Sequence, residues 1–189
     1  MNYDAIVLTG GSARRLGGAD KAGLVVGGRT LGQRVAAALD GASRLVVVGP
    51  RPAGFPARTV TTCESPPGGG PVAAVAAGMA HVIAPTVAVL AVDLPFVTAE
   101  AVTALREALG TASGAIPVDD DGRDQPLCSV WRSAALRAAL DAMGTPAGAS
   151  MRRLLATVAP IVRLRGLPGT WFDCDTPADI AAAQAQARA

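Results

Sequence analysis

Short apolar runs alternate along the chain with segments of helical periodicity. Residues 5–8, 45–48 and 87–92 are apolar throughout, which is typical of strands that are covered on both faces. Apolar positions recur at helical spacing in residues 31–39 and 98–109, and a small-residue segment at 72–83 also predicts a helix. This alternation of strand and helix predicts a parallel sheet with helices on both faces, with ligands beyond the carboxyl ends of its strands.

The regular alternation weakens after residue 109. Residues 115–118 and 127–131 predict two strands around the acidic turn 119–124, and an antiparallel pair is one arrangement open to them. Further elements are predicted as helices at 134–143, 151–158 and 178–187, with a strand at 161–164. The sequence has no internal repeat and no linker, so we expect an α/β fold, three-layered α/β/α with a mostly parallel Rossmann-like sheet, in a single domain spanning residues 1–189.

Composition and charge exclude several classes of protein. The 189 residues are 50% hydrophobic and 17% charged, which excludes a disordered chain. A net charge of +2 and an aromatic content of 3% provide neither the basic footprint nor the stacking surfaces of a nucleic-acid-binding protein. Residues 72–92 carry no Asp, Glu, Lys or Arg and are long enough to cross a bilayer, but Gly78 and Pro85 interrupt them. We therefore expect a helix followed by a strand there, and no membrane association.

The cysteines and the N-terminus indicate a cytoplasmic protein. Cys63, Cys128 and Cys174 lie far apart and lack the spacing of a zinc site, so reduced thiols are expected. The first residues carry Asp4 where an export signal needs basic residues. The composition leaves the oligomeric state open.

A glycine-rich segment, residues 8–21, follows the first predicted strand. It holds four glycines and three cations, Arg14, Arg15 and Lys21, but neither the GxxxxGK[ST] nor the GxGxxG spacing. Glycines allow backbone N–H groups to approach an anion, so the loop suits a nucleoside triphosphate; an ordinary turn between strand and helix is the alternative. Lys21 is the single lysine among 17 basic residues. A compact ammonium can follow reacting phosphates, so we expect Lys21 to do this while Arg15, and with it Arg14, clamps them.

Three acidic residues are candidates for a metal site. Asp93 directly follows the strand at 87–92, where it can ligate Mg²⁺ beside phosphate oxygens or cap the turn that follows. Asp173 and Asp175 are two positions apart on an extended segment and therefore point the same way. We expect Asp173 to be the second acid of the metal site, and either Asp175 or Thr176 to cap the last helix.

These motifs resemble the MobA-like nucleotidyltransferases, the relatives of molybdenum cofactor guanylyltransferase. The segment LTGGSARRLGGADK at 8–21 is similar to the family's LAGGx(S/A)xRMGxDK signature. Four shorter blocks follow in the family's order: Gly70-Pro71, Asp93-Leu94-Pro95-Phe96, Gln125-Pro126-Leu127 and residues 173–179. Together the five blocks cover nearly the whole chain.

The resemblance implies a fold of the nucleotide-diphospho-sugar transferase type and a Mg²⁺-dependent transfer of GMP from GTP to the phosphate of molybdenum-bound molybdopterin, with release of pyrophosphate. It implies that Lys21 and Arg15 meet the phosphates and that Asp93 holds the metal, so that these three residues carry the reaction; Asp173 remains the second metal-site acid expected from its spacing to Asp175. The implied nucleotide site consists of Leu8, Thr9, Gly10, Gly11, Lys21, Glu64, Gly70, Pro71 and Asp93.

Three positions around the expected base and sugar depart from the family pattern. Thr9 replaces an alanine, Ala74 replaces a glycine, and Glu64 with its neighbour Ser65 stands where relatives have a nucleotide-binding aspartate. The alternatives are therefore a cytidylyltransferase, another family member with a different phosphorylated acceptor, or a nucleotide-binding regulator without turnover. A dinucleotide-dependent oxidoreductase is a more distant alternative, since it would need the GxGxxG loop.

Overall fold

A computed structural model describes residues 2–10, 20–167, 169 and 171–188. The strands are β1 Tyr3–Leu8, β2 Val25–Val26, β3 Arg29–Thr30, β4 Arg44–Val48, β5 Val60–Thr62, β6 Thr86–Ala91, β7 Gly114–Pro117, β8 Cys128–Arg132 and β9 Ile161–Leu164. The helices are α1 Leu31–Ala38, α2 Pro71–Met79, α3 Ala99–Ala108, α4 Ser133–Met143, α5 Met151–Ala156 and α6 Pro177–Gln186. A short 3₁₀ turn covers Lys21–Gly23.

Seven of these strands form one sheet in the order β5-β4-β1-β6-β8-β7-β9. The pairs β1–β4, β1–β6, β4–β5 and β7–β9 are parallel, whereas β8 is antiparallel to both β6 and β7. The predicted α/β fold with a mostly parallel sheet is thereby confirmed, and the two strands around the acidic turn do pair antiparallel.

The central strand β1 shows how the sheet acquires a core on each face. Ala5 and Val7 join an apolar cluster with α1 and α3, while Ile6 and Leu8 join a second cluster with α2, α4 and α5. Successive side chains of a strand point to opposite faces, so an uninterrupted apolar run requires both faces to be covered. The result is three layers, with helices on both sides of the sheet.

A small hairpin, β2–β3, lies outside the main sheet and was not predicted. Gly27 and Gly28 form its turn with φ of 55° and 77°, the left-handed region that glycine favours. Val26 packs with Leu31, Cys174 and Ala183 in a third apolar cluster. This cluster fixes the hairpin against the start of α1 and against the segment around α6.

Helix α2 ends earlier than predicted, at Met79 rather than at residue 83. The N–H groups of Ile83 and Ala84 donate to Asp4 Oδ2, at 2.7 and 2.9 Å, instead of to helical carbonyls. Asp4 is fully buried at the start of β1, so its carboxylate fixes the turn that leads into β6. Within the described residues, no helix is long and apolar enough to span a membrane.

Candidate active site at the carboxyl edge of the sheet

The ends of β1 and β4 are held tightly together. The N–H groups of Thr9 and Gly10 both donate to Val48 O, at 3.0 and 3.2 Å, and Thr9 Oγ1 lies 2.7 Å from Pro50 O. Gly49 has a φ of 110°, and a Cβ placed on it would stand 2.6 Å from Gly10 N. Thr9 is thus anchored through its hydroxyl, which gives a structural role to this departure from the family's alanine.

Lys21 and Asp93 meet at the same edge of the sheet. Asp93 follows β6, and Lys21 opens the 3₁₀ turn, where Asp20 Oδ1 accepts a hydrogen bond from Ala22 N at 3.1 Å. Lys21 Nζ donates to Asp93 Oδ2 at 2.8 Å and also to Asp175. Both Lys21 and Asp93 side chains are 18% exposed, so this ion pair is partly shielded from water.

The charges around Lys21 favour its protonated form. Partial burial opposes the charge, but the hydrogen bonds from Lys21 to Asp175 and Asp93 outweigh it and raise the lysine's pKa above its ordinary value. Lys21 therefore remains an ammonium at neutral pH. A permanent, partly buried cation of this kind is suited to neutralising phosphate.

The segment from Asp173 to Asp175 is held by its central residue. Cys174 is completely buried in the third apolar cluster, and its N–H donates to Asp93 O at 3.1 Å. Both flanking acids line the cavity described below. Although Asp173 is open to solvent, the surrounding protein removes part of its hydration, and this effect together with the charges of Asp175 and Asp93 raises the pKa of Asp173.

Thr176, and not Asp175, caps α6. Thr176 Oγ1 accepts a hydrogen bond from Asp179 N at 3.2 Å, and Asp179 Oδ2 accepts one from Thr176 N at 2.7 Å, so the two residues form a capping box. Of the two capping residues considered from sequence, Thr176 is therefore the cap. Asp175 is left free to pair with Lys21, and this ion pair was not predicted from the sequence.

The acids of this edge have the chemistry of a magnesium site. Within the described part of the chain, no three Asp, Glu, His or Cys side chains form a ready-made metal cluster. Mg²⁺ commonly takes only one or two protein carboxylates and completes its shell with water and substrate phosphates. Asp93 and Asp173, whose charges act on each other, provide two hard oxygen donors. This donor set fits Mg²⁺ arriving with a nucleotide.

A cavity of about 580 Å³ opens beside these acids. Gly70 and Pro71, at the start of α2, line it together with Asp93, Gln125 and Trp171. Gly148 N donates to Gly69 O at 2.8 Å, which joins the loop before α2 to the loop before α5. The volume of the cavity falls within the range of pockets that bind small organic ligands.

The structure brings some of the expected site residues together but not all of them. Those found along the carboxyl edge of the sheet or in the cavity wall are Leu8, Thr9, Gly10, Lys21, Gly70, Pro71, Asp93 and Asp173. Glu64 is not among the described cavity-lining residues; its Oε1 accepts a hydrogen bond from Gly68 N at 3.0 Å and shapes the loop before α2. Gly11, Arg14 and Arg15 lie outside the described residues.

The fold and the comparison with known families together define a nucleotidyltransferase. Residues 5–162 match the family model described as MobA-like NTP transferase domain. The chain belongs to this family of nucleotidyltransferases. This agrees with the resemblance drawn from the sequence motifs.

Two curated proteins give the more particular comparison. The chain is 35% identical to the molybdenum cofactor guanylyltransferase of Acidiphilium cryptum over 140 residues, which are 69% of this chain and 67% of that protein. It is 37% identical to a probable molybdenum cofactor guanylyltransferase of Opitutus terrae over 139 residues, covering 70% and 68% of the two chains. Among solved structures, 2-C-methyl-D-erythritol 4-phosphate cytidylyltransferase from Thermus thermophilus superposes over the full length of both chains, with a TM-score of 0.72 and 25% identity.

Proposed function

We propose that this chain is a Mg²⁺-dependent guanylyltransferase that moves GMP from GTP to the terminal phosphate of molybdenum-bound molybdopterin and releases pyrophosphate. The observation that carries the proposal is the contact between Lys21 Nζ and Asp93 Oδ2 at the carboxyl edge of the sheet. It places a cation for phosphates beside an acid for a metal. The names of the two curated relatives support the choice of nucleotide and acceptor.

The proposed reaction exchanges one phosphoanhydride bond for another. An oxygen of the acceptor phosphate attacks the α-phosphorus of GTP, and the bond from that phosphorus to the bridging oxygen of the β-phosphate breaks. The acceptor phosphate is already an anion, so no protein nucleophile or base is required. Positioning and charge neutralisation therefore supply most of the rate.

The residues of the site divide this work between them. Lys21, permanently charged, turns from Asp93 and Asp175 towards the nucleotide phosphates and neutralises charge on the pyrophosphate as it leaves. Arg15, and with it Arg14, holds the same phosphates. Leu8, Thr9, Gly10 and Gly11 lie against the nucleotide, and Gly70 and Pro71 close the far side. Asp93 and Asp173 would hold Mg²⁺, which when bound polarises the phosphoryl oxygens.

A cytidylyltransferase is the second candidate. The cytidylyltransferase from Thermus thermophilus shares 25% identity with this chain over the whole of both chains. Glu64, which stands where relatives have a nucleotide-binding aspartate, also accepts a hydrogen bond from Gly68 N of its own loop. Both observations concern which nucleobase the substrate carries, and neither changes the roles of Lys21 and Asp93.

Pyrophosphate release with each of the four nucleoside triphosphates tests the proposal. The assay contains Mg²⁺ and molybdopterin, with parallel reactions that omit the acceptor or contain EDTA. We expect release with GTP alone, dependent on both acceptor and metal. Release confined to CTP would replace the guanylyltransferase by the second candidate, and tight GTP binding without any release would indicate a regulator.

A further inference from the structure

The cavity beside Asp93 has an apolar part as well as an acidic one. Pro126, Met151 and Trp171 line it together with the carboxylates of Asp93, Asp173 and Asp175. Within the described residues, no lysine or arginine belongs to this lining. The cavity therefore suits a ligand with an uncharged body that carries its phosphate towards the metal-site acids.

The cavity overlaps the expected nucleotide site at Gly70, Pro71 and Asp93 and extends beyond it towards Met151 and Trp171. Leu8, Thr9 and Gly10 lie at the ends of β1 and β4, and none of them lines the cavity. Asp93, after β6, stands between the end of β1 and residues 125–128, which lead into β8. A ligand in the part of the cavity beside Met151 and Trp171 would thus reach the acids Asp93 and Asp173 without occupying the end of β1.

Trp171 has the largest side chain of the cavity lining, and this side chain does not pack in the hydrophobic core. It is only partly buried and belongs to none of the three apolar clusters of the described residues. Trp131, by contrast, is fully buried, and its Nε1 donates to Ser129 Oγ at 2.8 Å. The indole of Trp171 therefore exposes aromatic surface to the cavity without contributing to a core.

The neighbours of Trp171 anchor its segment. Phe172 packs edge to face against Phe96, with ring centroids 5.8 Å apart, and its N–H donates to Gly169 O at 3.2 Å. Cys174, three residues after Trp171, is completely buried. The chain that follows Trp171 is thus tied to the protein through Phe172 and Cys174.

We propose that Trp171 is an acceptor-specificity residue, whose indole forms the face on which a flat heteroaromatic ring of the acceptor stacks. This inference rests on the proposed function and names the residue that selects a ring-bearing acceptor over a phosphorylated polyol. Beside the polar side chains of Gln125 and Ser150, the indole, Pro126 and Met151 offer apolar contact that a flat ring can use and a polyol cannot. Stacking of a flat ring on one aromatic side chain requires no particular set of hydrogen bonds, and it contributes measurably to affinity.

Two substitutions at Trp171 test the inference. Trp171→Leu removes the ring, and Trp171→Phe retains a smaller one. We expect Trp171→Leu to raise the KM for molybdopterin about tenfold, Trp171→Phe to raise it about two- to threefold, and neither to change the KM for GTP. The matched probe is neopterin, a stable pterin whose own fluorescence anisotropy reports binding to every variant, and its Kd should follow the same order.

The fluorescence of the unaltered protein supplies a second measurement. Stacking puts the pterin in contact with the indole, so neopterin should quench Trp171 in the wild type more strongly than it quenches Trp131, which is not in the cavity lining, in the Trp171→Phe variant. An unchanged KM for molybdopterin in Trp171→Leu would overturn the inference, as would a parallel rise in the KM for GTP. Should Trp171→Leu not fold, the absence of quenching in the wild type would overturn it equally.

Failure of the proposed function gives a different result. In that case the wild type itself would not transfer GMP to molybdopterin, whatever residue occupies position 171. Transfer by the wild type with no effect of Trp171→Leu on the acceptor would leave the proposed function standing and refute the role of Trp171 alone.

Discussion

The ammonium nitrogen of Lys21 lies 2.8 Å from Asp93 Oδ2, although 72 positions separate the two residues in the chain. The same ammonium contacts Asp175. Each of these residues comes from a different segment at the carboxyl edge of the sheet, and the sheet topology brings the segments together. The cation and the acids are thus held at one place, and on nucleotide binding the side chain of Lys21 would turn from these carboxylates to the phosphates.

Gly10→Ala should weaken nucleotide binding without affecting folding. Among the described residues, the nearest atom to a Cβ at this position is Val48 O at 3.9 Å, and Gly10 is not in the left-handed region. The added methyl group therefore fits the free protein but would occupy space that the nucleotide needs. We expect an unchanged Tm and a rise of about tenfold in the Kd for GTP, measured by calorimetry.

Gly49→Ala provides the control for this substitution. Its Cβ would stand 2.6 Å from Gly10 N on a backbone with φ of 110°, so it should lower the Tm even without nucleotide. Equal GTP affinity in the wild type and Gly10→Ala would contradict the placement of the nucleotide at the end of β1.

Asp93→Asn should reduce turnover by about 10²- to 10³-fold, the usual effect of removing one group that stabilises developing charge. The amide keeps the shape of the side chain but loses the charge that would attract Mg²⁺, so the remaining activity should require more metal. A titration of activity with MgCl₂, after removal of metal by EDTA, measures both effects. Asp120→Asn, an exposed acid in the turn between β7 and β8, is the control and should behave as the wild type.

Asp173→Asn should make the nucleotide-free protein slightly more stable at neutral pH. The pKa of Asp173 is raised, so its ionisation opposes folding: stability is lost as pH rises from the carboxyl group's ordinary pKa of 3.8 through the raised pKa. The asparagine variant has no such ionisation, so its Tm should exceed that of the wild type at pH 7. The difference should be only about 1 °C, because solvent screens the charge of an exposed side chain.

The pH dependence distinguishes this explanation from a general gain in stability. Below about pH 3.5 the wild-type carboxyl is protonated, so the difference in Tm between wild type and Asp173→Asn should vanish. Asp40→Asn, another exposed acid, should show no such pattern. A constant difference in Tm across the pH range would contradict a pKa of Asp173 that is raised by loss of hydration and by the charges of Asp175 and Asp93.

Asp4→Ala should destabilise the fold by about 2 kcal/mol, because it leaves the N–H groups of Ile83 and Ala84 without an acceptor. The loss is moderate because Asp4 Oδ1 has no hydrogen-bond partner among the described residues, so the buried carboxylate is itself incompletely satisfied. Urea unfolding measures the difference in free energy. Glu107→Ala, at an exposed position of α3, should lower the free energy of unfolding far less. An equal loss in the two variants would contradict the role assigned to Asp4.

The sequence patterns predicted the sheet and its covering helices well because those elements bury whole faces. The run at residues 5–8 became β1, and the acid after β6 lies where parallel strands end together. The hairpin β2–β3 and strand β5 escaped prediction because they span only two or three residues. Such short pieces leave no periodicity to detect, although the Gly27-Gly28 pair is a recognisable turn signal.

The partners within the site were harder to predict than the site itself. Asp173 and Asp175 were expected to point the same way, and both do line the cavity. That Asp175 would pair with Lys21 depends on how the start of α6 meets the glycine-rich side of the sheet, a contact across 154 positions. Trp171 carried no signal of its own, since only the finished cavity shows that its indole lies outside the core.

Transfer of label from [α-³²P]GTP to molybdopterin, compared between the wild type and Lys21→Ala, tests the central claim most directly. Arg29→Ala, an exposed cation on β3, serves as the control for loss of positive charge. We expect labelled product with the wild type and with Arg29→Ala, and a loss of about 10²- to 10³-fold with Lys21→Ala at saturating GTP. Wild-type rates in Lys21→Ala would contradict the claim that this ammonium neutralises the reacting phosphates.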